Sequence, residues 1–69
     1  MKELYTIVKN ELRNEETIFI TTKAKLNSNS PEWWKMEEYT LDQLFNSYSG
    51  KEKVYKVWHE DGLCIILNI

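Results

Sequence analysis

The sequence predicts a small α+β domain, two helices packed on an antiparallel sheet in the order α-β-β-α-β-β. Three observations carry that expectation: an amphipathic N-terminal segment, a following run dense in β-branched residues, and two strand-like runs flanking Asp61-Gly62 near the C-terminus. The chain has 69 residues, which leaves room for one core, so residues 1–69 read as a single domain. A core of that size is near the lower limit for independent stability. Cys64 has no second cysteine to pair with and His59 is the only histidine, so neither a disulfide nor a zinc site staples it.

Lys2 to Asn14 has helical spacing. Met1, Leu4, Tyr5, Ile7, Val8 and Leu12 fall in one arc, with Lys2, Thr6, Lys9 and Arg13 opposite. Thr17 to Leu26 alternates Ile18, Ile20, Thr22, Ala24 and Leu26 with Phe19, Thr21, Lys23 and Lys25, which predicts a strand. Asn27 to Pro31 is a polar loop. Trp33, Trp34, Met36 and Tyr39 scatter around a helical wheel, so Trp33 to Tyr39 is read as a returning strand. Thr40 then opens a capping box with Gln43, and Leu41, Leu44, Phe45 and Tyr48 cluster as one face of a helix over 41–48 that stops at Ser49-Gly50. A single helix over 31–48 is the competing reading. Lys53 to Glu60 and Leu63 to Ile69 form a hairpin about a two-residue Asp61-Gly62 turn, which sets Glu60 opposite Leu63 and His59 opposite Cys64. One hairpin face, Val54, Trp58, Leu63, Ile65, Leu67 and Ile69, is then core.

The charge is nearly balanced, eleven acidic against nine basic residues. This lacks the positive excess of duplex binders, whose affinity comes chiefly from phosphate neutralisation. No stretch approaches the ~20 apolar residues of a membrane span, and the N-terminus is too charged for a secretion signal, so a cytoplasmic location is expected. Eight lysines against one arginine, with six asparagines and six isoleucines, match an AT-rich genome and fit a phage or mobile-element accessory protein of bacteria.

Catalytic apparatus is not expected. Cys64 lies in the apolar run LCIIL, where cysteine acts as a buried hydrophobe. Glu37-Glu38 point to opposite faces of a strand, Glu60-Asp61 belong to a turn, and two glycines cannot build a phosphate loop. The chain reads as no enzyme, with no metal and no cofactor.

Aromatic residues carry the functional expectation. Trp33 and Trp34 are adjacent, so only one can enter the core from a strand, and an exposed tryptophan is a frequent interface anchor. With Tyr39 they would contact a larger bacterial protein, while Glu37, Glu38 and Asp42 would favour a basic patch on it. An inhibitor or regulator that occludes a surface is therefore the leading reading. One alternative uses Lys51, Lys53, Tyr55, Lys56 and Trp58 as a single-stranded nucleic-acid platform, although the three-residue spacing of Tyr55 and Trp58 puts them on opposite sides and turns Lys56 towards the core. Another is a structural homodimer, in which the apolar last strand pairs as a sheet edge or Ile66 and Val57 meet a second copy.

Overall fold

In the computed structural model, which describes residues 2–26 and 36–69, the chain runs α1 (Leu4–Glu11), β1 (Ile18–Thr22), α2 (Lys23–Leu26), β2 (Glu37–Tyr39), α3 (Leu41–Ser47), β3 (Val54–His59) and β4 (Leu63–Leu67). The α+β class holds, but the sheet is mixed and the described residues form three helices. Strand order is β2-β1-β4-β3; β1 and β4 are parallel, and the two outer pairs are antiparallel. β4 explains the difference. LCIIL is buried at every position, and a strand covered on both faces belongs inside a sheet, beside a parallel neighbour. With β1 on one side and β3 on the other, β4 is not an open edge, which removes the edge-pairing route to a homodimer.

The core lies on one face of this sheet. Ile18 and Ile20 stand beside Leu63 and Ile65 across the parallel pair, and with Leu67 and Val54 they meet Leu4, Ile7 and Val8 of α1 and Leu44 of α3. Burying a Leu or Ile side chain contributes roughly 1.5–3 kcal/mol, and it is this face that holds the helices. Thr21, Cys64 and Ile66 are on the opposite face and are also buried.

Local chemistry sets the element ends. α1 is shorter than the predicted 2–14: Leu12 is already extended and caps it through a bond to the Val8 carbonyl. Its N-terminus has no side-chain cap. Instead Leu4 and Tyr5 donate their backbone N–H groups to the carbonyls of Glu52 (2.7 Å) and Gly50 (2.8 Å), so the loop before β3 closes the helix. The predicted strand over 17–26 ends at Thr22, because the Thr22 hydroxyl accepts from the Lys25 N–H (3.2 Å) and turns the chain into α2. Glu37–Tyr39 is strand and Thr40 is the extended N-cap of α3, so a continuous helix over 31–48 does not form. The Thr40–Gln43 capping box is present in both directions.

The C-terminal hairpin forms with its register moved by one. His59 faces Leu63 and Trp58 faces Cys64, so the loop is Glu60-Asp61-Gly62, three residues long, with Asp61 and Gly62 at positive φ. This reverses the face assignment of β3: Val57 packs on the core, while Trp58 and Lys56 share the face of Cys64 and Ile66. A bulge falls between Val54 and Lys56, which lets Val54 keep its core position. Ile69, also predicted core, is exposed.

Candidate functional site

The sequence-predicted residues divide among three fates. Trp33 and Trp34 lie outside the described residues. Tyr39 and Glu37 are committed within the fold: the Tyr39 hydroxyl donates to Glu37 Oε2 (2.5 Å), Lys25 Nζ donates to Glu37 Oε1 (2.6 Å), and the Tyr39 ring stands edge-on to Tyr48 with centroids 5.8 Å apart. The Lys25 ammonium, then the Tyr39 hydroxyl, hold the Glu37 carboxyl below its ordinary pKa. The Glu37 bond, reinforced by burial, pushes the Tyr39 phenol above its own. Glu37 and Tyr39 thus tie β2 to α2 more than they offer themselves to a partner. Glu38 and Asp42 are exposed, and no ion pair among the described residues engages either.

Two hollows open on the side where α3 begins. One, about 490 Å³, is lined by Glu15, Glu16, Thr17, Glu38, Tyr39, Thr40, Leu41 and Gln43. Its rim is built by the turn after α1, where Glu15 takes a left-handed φ of 62° and Glu16 accepts from the Arg13 N–H at 2.9 Å. Glu16 also meets His59 Nδ1 at 2.8 Å, a bond that, with the Arg13 N–H, lowers its carboxyl pKa. The second hollow, about 320 Å³, is an apolar groove between α1 and α3 lined by Tyr5, Val8, Lys9, Leu12, Leu41 and Phe45. Tyr5 and Phe45 stack obliquely at 5.9 Å within it.

Leu41 belongs to both hollows. It was expected on the buried face of its helix, yet it is 46% exposed, and Tyr5 of the N-terminal apolar arc is 56% exposed. Sequence reasoning missed both because the apolar arcs are wider than the sheet beneath them can cover. The signal was present: a wide apolar arc, Leu4, Tyr5, Ile7 and Val8, on a short helix, and a leucine immediately after an N-cap.

The alternative lysine-aromatic set is also resolved. Lys51, Lys53, Tyr55 and Lys56 are exposed. Lys56 shares a face with Trp58, and that face is turned away from α1 and α3, opposite to its expected direction. Each ring already carries a lysine: Lys23 Nζ sits 4.5 Å from the Tyr55 centroid and Lys56 Nζ 5.7 Å from that of Trp58, and Trp58 Nε1 donates to Glu60. A base stacking on the same ring faces would have to displace those ammonium groups.

The corrected hairpin register separates Cys64 from His59, since Trp58 stands opposite the cysteine. Burial raises the Cys64 thiol pKa, which keeps it away from the reactive thiolate form. Among the described residues no three His, Cys, Asp or Glu side chains converge as metal ligands, and no helix is long and apolar enough to cross a membrane. Comparison with family models, with curated protein sequences and with solved structures finds no match for the chain.

Proposed function

We propose that the chain is a non-enzymatic protein-binding module that occludes a surface of a larger bacterial protein, using the face where α1 and α3 meet. The observation that carries this reading is Leu41, half-exposed between an apolar groove and an acidic hollow. Its backbone is fixed by the capping box of the same helix, so little ordering is needed on contact. Exposed apolar side chains on a rigid element, rimmed by charge, favour association with another protein. Of the anchors expected from sequence, Trp33 and Trp34 lie outside the described residues and Tyr39 gives way to Leu41, Tyr5 and Phe45; of the flanking acids, Glu37 is set aside and Glu38 and Asp42 are kept.

Affinity capture from nuclease-treated bacterial lysate tests this. The wild-type chain should retain one host protein in stoichiometric amount. Leu41→Asp should lose it without unfolding, and Lys53→Glu with Lys56→Glu should leave it unaffected. Recovery of nucleic acid alone, or capture that ignores Leu41 and depends on the lysines, overturns the reading in favour of the lysine-aromatic strand.

A further inference from the structure

We infer that the paired hollows recognise a segment of the partner protein in which an apolar side chain is followed within a few residues by Lys or Arg, the apolar group entering the α1–α3 groove and the cation the acidic hollow. This rests on the protein-binding reading and assigns the chemistry of its ligand. The groove supplies Val8, Leu12, Leu41 and the Tyr5–Phe45 ring pair, a surface whose burial favours an apolar side chain. Of its lining residues only Lys9 is charged, so a cation is repelled there. Across Leu41 the sign reverses. Glu15, Glu16 and Glu38 line the neighbouring hollow, and Asp42 is exposed one residue beyond Leu41.

Within that hollow the carboxylates are not equivalent. Glu16 is engaged by His59 and by the Arg13 N–H. Glu15 and Glu38, both exposed, have no ion pair among the described residues and are the groups that meet the incoming cation. An apolar anchor in the groove and complementary charge on the rim divide the work between affinity and specificity. Acidic segments are rejected at the same rim, because bringing like charges together is costly.

The test selects random heptamer peptides against the immobilised full chain, then titrates the selected peptides into ¹⁵N-labelled protein. Selected sequences should pair an apolar residue with Lys or Arg, and amide shifts should concentrate at Val8, Leu12, Glu38 and Leu41. Leu41→Ser should weaken every peptide about tenfold or more, as expected for an anchor in a desolvated pocket. Glu15→Gln with Glu38→Gln should abolish the preference for Lys over Gln within a peptide, and should remove most of the salt dependence. Acidic or uncharged consensus sequences, shifts clustered on β3, or no selected peptide at all each overturn the inference. Where one of these occurs while host-protein capture still depends on Leu41, the binding-module reading survives alone; where capture fails as well, both fall. Concentration-dependent shifts at Leu41 without peptide assign the groove to a second copy of the chain and also overturn it.

Discussion

At the scale of single residues, the tightest constraint is Gly62. Its φ of 152° is one that side-chain-bearing residues rarely adopt, and a Cβ there would lie 2.5 Å from the Thr17 carbonyl oxygen and 2.7 Å from the Phe19 ring. That same carbonyl accepts the Leu63 N–H at 2.8 Å, the first link between the hairpin and β1. Gly62→Ala therefore combines backbone strain with overpacking against a fixed main chain, and should cost about 3 kcal/mol or more. In a domain with roughly 5 kcal/mol to lose, this variant should stay folded at room temperature with its urea midpoint lowered by about half or more. A midpoint within about 1 kcal/mol of wild type would show that Thr17 and Phe19 yield. Gly50, with φ of 93° and the Phe45 ring and Tyr5 Cβ each 3.2 Å from where a methyl group would lie, is a milder case on space, since nothing there approaches as closely as the Thr17 carbonyl does at Gly62. Both glycines were legible as turn residues; only the structure shows which neighbour each one admits.

At the scale of elements, α3 is the part the sequence foretold best. Thr40 and Gln43 exchange both bonds of the box, at 3.2 and 3.1 Å, and Ser47 ends the helix two residues before Ser49-Gly50. Thr40→Ala should cost about 1 kcal/mol, read as a lower urea midpoint with an unchanged slope. Equal stability would mean that burial of Leu44 alone holds the helix. The hairpin was legible in existence but not in register, because Asp61-Gly62 satisfies a two-residue turn and equally the end of a three-residue loop. One residue of slip exchanged Trp58 for Val57 on the core face, as period-two geometry demands. The β1–β4 pairing was hidden for another reason. It joins segments distant in sequence, and its local trace is that LCIIL lacks alternation, a mark of two-sided burial that fits a central strand without naming its second neighbour. The candidate site escaped for a related cause: periodicity says which residues share a helix face, while the width of sheet beneath decides how many of them are covered, and Leu41 and Tyr5 fall beyond it.

At the scale of the whole molecule, three carboxylates join segments that secondary structure leaves separate, and together they set how stability responds to pH. Glu16 joins the turn after α1 to the end of β3 through His59, and Glu37 joins β2 to α2 through Lys25. Glu52 loses solvation on burial, yet bonds from its own N–H, from Ser49 and from Gly50 outweigh that loss and lower its pKa. All three are depressed in the folded chain. The unfolded chain therefore binds more protons in the acid range, so their contribution is complete above the unfolded carboxylate value of about 4.3 and disappears as pH falls through the lower folded values. Tyr39 acts at the other end. Its raised pKa contributes stability below the unfolded phenol value of about 10, which is lost as pH rises beyond it. Cys64, whose thiol pKa is also raised by burial, loses its contribution from the unfolded thiol value of about 8.5 upward, so stability should be level between roughly pH 5 and pH 8 and fall on both sides. The three acids should not contribute equally. The Lys25–Glu37 pair is half-exposed on both sides and is worth little, as solvent-screened pairs are. Glu52 holds the loop whose carbonyls close the N-terminus of α1, so Glu52→Ala should cost roughly 1–2 kcal/mol at neutral pH and flatten the acid limb, whereas Glu37→Gln should leave it nearly intact. Urea midpoints measured from pH 3 to pH 10 decide this: an acid limb unchanged in Glu52→Ala would place the titrating contact elsewhere, at Glu16 and His59.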